Sequence, residues 1–144
     1  MVGMHYLIDT CVLSEFVKPA PSTAVQAWMG NQVEEGLFMS AISLAELHRG
    51  VARLPDSQRK QNLAFWLARL EASFGQRILP FTQSTATCWG NLYAVAEARG
   101  QKPSLADSLI AATALEQGLI LATRNEKDFA AMPVVLVNPW NAST

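Results

Sequence analysis

With 144 residues, half of them hydrophobic and 16% charged, the chain is long enough to form one domain with a proper core and is too apolar for a disordered tail. No apolar run approaches the roughly 18 residues that a membrane span needs. A net charge of −1 and a pI near 6.1 exclude the broadly basic surface of a dedicated nucleic-acid binder, so any such contact must be local, metal-bridged or shared with a partner. Two cysteines are too few for a disulfide framework, and we expect a cytoplasmic protein.

Short apolar runs alternate with helical patterns along the whole chain. In chain order we predict a strand over 5–8, helices over 12–17 and 22–28, a strand over 37–42, helices over 43–53 and 57–74, a strand over 77–81, helices over 82–98 and 104–117, a strand over 119–122, a helix over 126–131 and a strand over 134–137. This alternation predicts an α/β fold with a mostly parallel five-stranded sheet covered on both faces, in a single domain spanning 1–144.

Three acidic residues mark strand ends or helix starts. Asp9 follows the first strand, and Glu46 and Asp107 lie in the first turns of two predicted helices. Each has an ordinary structural interpretation. Asp9 fits a turn, and both Ser43-x-x-Glu46 and Ser104-x-x-Asp107 fit capping boxes, in which serine and acid each bond the other's backbone amide.

Considered together, the three acids suggest a metal site. Ligands of open parallel sheets gather beyond the carboxyl ends of the strands, where we expect these residues to meet. Converging carboxylates repel one another unless a cation neutralises them, and oxygen-only ligands suit Mg²⁺ or Mn²⁺. Such ions support phosphodiester hydrolysis. From the residues alone, a purely structural role remains the alternative.

Five blocks of sequence, in order along nearly the whole chain, resemble the PIN-domain toxins of type II toxin–antitoxin systems. They are residues 7–15 (LIDTCVLSE), 43–50 (SLAELHRG), 106–114 (ADSLIAATA), 122–129 (ATRNEKDF) and 138–140 (NPW). The match is closest to the VapC/FitB plasmid-stability branch. The resemblance implies a three-layer α/β/α fold and an endoribonuclease that depends on Mg²⁺ or Mn²⁺ and leaves a 5′-phosphate and a 3′-hydroxyl.

The resemblance also assigns roles to individual residues. Asp9 and Asp107 would bind the metal directly, Glu46 would complete the acidic cluster directly or through water, and Thr10 would be the polar residue beside the first aspartate. The fourth acidic position falls on Asn125, which is neutral here and disfavours a second tightly held metal. Asp128 is a possible substitute, with an exposed helical acid as the alternative.

Arg124 follows the fourth predicted strand, at the same rim of the sheet, and is our candidate for contacting substrate phosphate. The resemblance further implies a homodimer and a cognate antitoxin, a small DNA-binding protein. One alternative is a catalytically weak binding module that acts as a co-repressor with the antitoxin. A phosphatase or phosphoacceptor with Asp9 as its nucleophile is disfavoured, because Cys11 stands where such phosphatases place a second aspartate.

Overall fold

Five parallel strands form the central sheet of the computed structural model, which describes residues 4–141. Across the sheet the strands follow the order β3-β2-β1-β4-β5, and every neighbouring pair is parallel. The strands are β1 (Tyr6–Ile8), β2 (Leu37–Ser40), β3 (Ile78–Leu79), β4 (Ile120–Ala122) and β5 (Leu136–Val137). All five predicted strands are present, each shorter than predicted, most of all β3 and β5 at the two edges.

Seven α-helices are present in the described part of the chain. Two short 3₁₀ turns precede β2 and β3. The helices are α1 (Thr10–Glu15), α2 (Thr23–Gly30), α3 (Ala41–Ala52), α4 (Gln58–Phe74), α5 (Gln83–Ala98), α6 (Leu105–Gln117) and α7 (Glu126–Phe129). None of the helices within residues 4–141 is long and apolar enough to cross a membrane.

The helices cover both faces of the sheet, because successive strand residues point in opposite directions. In β1, Ile8 packs with residues of α1 to α4, whereas Leu7 packs with residues of α5 to α7. In β4, Ala122 packs on the same side as Ile8, and Leu121 packs on the same side as Leu7. This arrangement confirms the predicted three-layer α/β/α fold and explains why the central strands read as continuous apolar runs.

The order of the strands creates a crevice at one rim of the sheet. From β1 the chain moves outwards to β2 and β3, and it later returns to the other side of β1 to form β4 and β5. The carboxyl ends of β1 and β4 therefore flank the point where the direction of winding reverses. In open parallel sheets this is the usual ligand site.

One predicted capping box is wrong. Strand β2 ends at Ser40, whose hydroxyl accepts a hydrogen bond from the Ile42 amide at 2.9 Å, so Ser40 caps α3 and the helix begins three residues earlier than Ser43 would place it. Ser43 is fully buried inside the helix, and its hydroxyl has no hydrogen-bond partner within residues 4–141. Glu46 is therefore in the second turn of α3 and has no role in capping it.

The second predicted capping box is half formed. Ser104 caps α6, since its hydroxyl accepts a bond from the Asp107 amide at 3.1 Å. The reciprocal bond from the Ser104 amide to the Asp107 carboxylate is not among the hydrogen bonds of residues 4–141. The carboxylate of Asp107 is consequently left for other contacts.

Candidate active site

Asp9 lies at the carboxyl end of β1, as predicted, and is also the N-cap of α1. The helix consequently begins at Thr10 instead of residue 12. Asp9 is only 3% exposed, and its carboxylate is held by two hydrogen bonds: Oδ1 accepts from the Thr10 amide at 2.8 Å, and Oδ2 accepts from the Thr123 hydroxyl at 2.7 Å. Because both oxygens are bonded to the protein, the orientation of the carboxylate is fixed before any ligand arrives.

The environment of Asp9 favours a positive ligand. Burial raises the pKa of Asp9, and the negative charges of Asp107 and Glu46 raise it further. The hydrogen bonds from Thr123 and Thr10 oppose this rise but do not cancel it. An ionised carboxylate here is short of compensating charge, which a cation can supply.

Glu46 is joined to the same site through Thr10. The Thr10 hydroxyl donates a 2.7 Å hydrogen bond to Glu46 Oε1, which links the first turn of α1 to the middle of α3. The Glu46 side chain is otherwise exposed. Glu46 is therefore on the solvent side of the site, whereas Asp9 is buried beneath it.

Asp107 approaches from a third element, the first turn of α6, and is half-buried. Burial raises the pKa of Asp107, the charges of Asp128 and Glu46 raise it further, and the Ser104 hydroxyl partly opposes them. Electrostatic coupling of this kind needs short separations. The charges of Asp107 and Glu46 thus both act on Asp9, in agreement with the predicted placement of the three acids at one rim of the sheet.

The three acids do not form a closed cage. Within residues 4–141, no three His, Cys, Asp or Glu side chains are grouped closely enough to hold a metal ion unaided. This arrangement still suits Mg²⁺ or Mn²⁺, because Mg²⁺ is commonly bound by one or two carboxylates, with water and substrate phosphate as the other ligands. The oxygen-only donors and the uncompensated charge at Asp9 both fit such an ion.

The remaining predicted residues lie just after β4. Asn125 is exposed, and its backbone amide donates to the Thr123 hydroxyl at 3.0 Å, but its side chain forms no capping bond to α7. Arg124 is exposed, with its guanidinium 5.0 Å from the centre of the Trp140 ring. Their positions agree with the predicted rim, and their catalytic and substrate-binding roles stay predictions.

Sequence analysis missed the role of Thr123. This threonine is fully buried at the carboxyl end of β4 and binds the Asp9 carboxylate across the boundary between β4 and β1. The available signal was a hydroxyl residue directly after a buried strand. Cys11 adjoins the same pair, with Sγ 3.7 Å from both Asp9 Oδ2 and Thr123 Oγ1. Burial raises the pKa of Cys11, so its thiol is a poor nucleophile.

Comparison with known proteins agrees with this geometry. The family model described as PIN domain matches residues 6–135. The chain is 39% identical to Toxin FitB of Neisseria gonorrhoeae over 94% of this chain and 98% of the relative. It is 37% identical to VapC ribonuclease Y4jK of Sinorhizobium fredii, over 93% and 96%.

Among solved structures, the fold is similar to that of FitAB bound to the IR36 DNA fragment. The TM-score is 0.91 at 34% identity, and the match covers 96% of this chain and 98% of the other. Family match, sequence identity and fold therefore agree over nearly the whole chain. The protein belongs to the PIN-domain family, within the group that contains the FitB and VapC toxins.

Proposed function

We propose that the protein is the toxin of a toxin–antitoxin pair and that it hydrolyses RNA as an endoribonuclease dependent on Mg²⁺ or Mn²⁺. One observation carries the proposal: the Asp9 carboxylate is buried at the reversal point of the sheet, and the negative charges of Asp107 and Glu46, from distant parts of the chain, act on it. A relative with 37% identity bears the name VapC ribonuclease.

In this proposal Asp9 and Asp107 would hold the metal, and Glu46 would complete the site directly or through water. When bound, the ion would supply an activated water and stabilise the charge that develops on the phosphate. The oxygen-only donor set supports a hard cation over zinc.

Residues of the chain itself would prepare the site. Thr123 and the Thr10 amide hold the Asp9 carboxylate in one orientation, and the Thr10 hydroxyl holds Glu46. Such fixed positioning reduces the rearrangement needed during reaction. Arg124, on the same rim, would contact a substrate phosphate, and Asn125 would take the fourth position without contributing charge.

The partners follow from the same family. We propose that a small DNA-binding antitoxin covers the site, supported by the similarity to FitAB bound to a DNA fragment. We also propose a homodimer, to which exposed apolar residues such as Phe65 and Val95 can contribute, and a cytoplasmic location, which suits the two free cysteines. The alternative of a catalytically weak binding module that acts as a co-repressor is not favoured, because related chains are named ribonucleases.

Cleavage of a labelled single-stranded RNA by the purified protein tests the proposal. We expect cleavage with Mg²⁺ or Mn²⁺ and none with EDTA. Loss of groups that merely support metal ligands costs about 10–100-fold, so Asp9→Asn should lose more than about a hundredfold.

Asp56→Asn is the matched control. Asp56 is fully exposed and pairs only with Lys60, at 3.5 Å, in the described part of the chain. This variant should cleave like the wild type. Equal cleavage by wild type and Asp9→Asn, or cleavage that persists in EDTA, would contradict the proposal.

A further inference from the structure

A polar cavity of about 390 Å³ adjoins the acidic rim on the side of Asp107. Its walls come from the loop between α5 and α6, from the first turn of α6, and from α7 and the turn that follows it. The lining residues are Gln101, Lys102, Pro103, Ser104, Asp107, Lys127, Asp128 and Ala131. Its size falls in the range of pockets that hold small ligands. Asp107 belongs both to this cavity and to the proposed catalytic site.

The two lysines of the cavity have no anionic partner in the described part of the chain. The chain has four lysines. Lys18 pairs with Glu15 at 2.8 Å and Lys60 pairs with Asp56 at 3.5 Å. Neither Lys102 nor Lys127 forms an ion pair with any residue in the range 4–141. Two unpaired ammonium groups thus line one cavity, although two carboxylates line it as well.

Both lysines are carried by anchored segments. Lys102 precedes Pro103, whose carbonyl accepts a hydrogen bond from the Tyr93 hydroxyl at 3.0 Å, and Ser104 then caps α6. Near the start of this loop, Gly100 has a φ of +74°, a conformation that favours glycine.

Lys127 lies on α7, which is held to the core by the fully buried ring of Phe129. The flexible part of each lysine is therefore only its side chain, and both side chains start from fixed positions.

We propose that this cavity binds a backbone phosphate of the RNA next to the phosphate that is cleaved, with Lys102 and Lys127 as its contacts. The inference rests on the proposed ribonuclease function. A chain with a net charge of −1 and an acidic site repels RNA, so it needs local positive charge close to that site. Lysine is an established phosphate ligand that acts as a point charge. Lys102 and Lys127 line the same cavity as Asp107, and within residues 4–141 neither forms an ion pair with a carboxylate.

Binding of RNA to a non-cleaving protein tests this subsite. In the Asp9→Asn background, with Mg²⁺ present, fluorescence anisotropy of a labelled single-stranded RNA should show roughly tenfold weaker binding for each of Lys102→Gln and Lys127→Gln. The slope of log K against log salt should become shallower by about 0.7 for each lysine removed. Lys60→Gln is the matched control and should change neither quantity, whereas Lys102→Arg and Lys127→Arg should restore binding.

RNA with one uncharged backbone linkage tests whether the lysines contact a particular phosphate or only attract the RNA by their charge. Replacing one flanking phosphate at a time with methylphosphonate should weaken binding at one position, and the lysine substitutions should add little to that loss. Affinities within twofold of the Lys60→Gln control would overturn the inference. Equal losses for RNA and a labelled poly-glutamate peptide would overturn it as well, by indicating a surface for acidic protein.

Failure of the subsite can be distinguished from failure of the proposed function. If the wild type cleaves RNA while the lysine variants bind it normally, only the subsite is wrong. If the wild type cleaves no RNA with either metal, the proposed function fails, and the subsite fails with it.

Discussion

Asp9→Asn should stabilise the protein in the absence of metal and abolish its stabilisation by metal. Burial and the neighbouring charges of Asp107 and Glu46 raise the pKa of Asp9 above that in the unfolded chain. Between these two pKa values the folded state holds more protons than the unfolded state, so stability falls as the pH rises through this window and stays lower above it. At neutral pH the ionised Asp9 therefore destabilises the fold.

Asparagine has the same shape and can keep both local contacts. Its side-chain oxygen can accept from the Thr10 amide, and its NH₂ group can donate to the Thr123 hydroxyl in place of the existing bond. Single stabilising substitutions commonly gain about 0.5–2 kcal/mol, and we expect a gain in this range here. For a chain of this length, each kcal/mol corresponds to roughly 3–4 °C in Tm.

Metal binding should reverse the order of stability. A ligand at 100 times its Kd stabilises the folded state by about 2.7 kcal/mol, which exceeds the gain expected from the substitution. With EDTA at pH 7, Asp9→Asn should melt a few degrees above the wild type. With saturating Mn²⁺, the wild type should melt above Asp9→Asn.

Thermal unfolding of wild type, Asp9→Asn and Asp56→Asn, each with EDTA and with Mn²⁺, measures this reversal. In EDTA the advantage of Asp9→Asn should disappear below about pH 4, where the carboxyl group is protonated in both states. Asp56→Asn should follow the wild type under all conditions. The reasoning is refuted if Asp9→Asn is the less stable protein in EDTA, or if Mn²⁺ stabilises both proteins equally.

Three further predictions address the supports of the site. Thr123→Val should lower the free energy of unfolding at pH 7, measured in urea, by about 1–3 kcal/mol, because the Asp9 carboxylate loses its buried hydrogen-bond donor. Thr123→Ser keeps the hydroxyl and should retain most of the wild-type stability. Ser40→Ala should lower the free energy of unfolding by about 1 kcal/mol, because α3 loses its N-cap, whereas Ser43→Ala should leave it unchanged or raise it. If Ser43→Ala were the more destabilising variant in the same assay, α3 would not begin after Ser40. The pKa values of Asp9 and Asp107 are raised, so protons compete with the cation at a higher pH than for ordinary aspartates. Mn²⁺ affinity measured by calorimetry should therefore weaken as the pH falls, starting above the usual aspartate range of about pH 4. A flat profile would argue against metal binding at these carboxylates.

The layered fold could be predicted because its central strands are buried on both faces. The apolar runs around Leu7 and Leu121 are short, and each is bounded by polar residues or helical patterns. These features also place Asp9 at the end of β1, which is what the structure shows. The lengths of the edge strands β3 and β5 were overestimated. Each pairs with one neighbouring strand only, and the paired residues are fewer than the residues of the apolar run.

The start of α3 could not be read from the sequence. Ser40 and Ser43 stand on either side of Ile42, and both have the chemistry of an N-cap. The choice between them depends on where β2 leaves the sheet, which is set by its pairing with β1 and β3. Local spacing favoured the serine three residues before a glutamate, and this choice was wrong.

The contact between Thr123 and Asp9 could not be predicted from local sequence, which indicates only that a hydroxyl residue follows a buried strand. The two residues are 114 positions apart, and they meet only because β4 lies beside β1. Strand order is a property of the whole sheet and has no local signature. Asp9 and Asp107 could be placed from local sequence because Asp9 follows a strand and Asp107 lies in the first turn of a helix, whereas Glu46 lies in the second turn of α3.

The most direct test of the account is the location of Mn²⁺ in crystals of the protein, determined from anomalous scattering. We predict a peak in contact with the carboxylate oxygens of Asp9 and Asp107 and close to Glu46, and no such peak in crystals of Asp9→Asn. A peak elsewhere on the molecule, or none at a Mn²⁺ concentration that supports RNA cleavage, would contradict the claim that these carboxylates form the metal site of a ribonuclease.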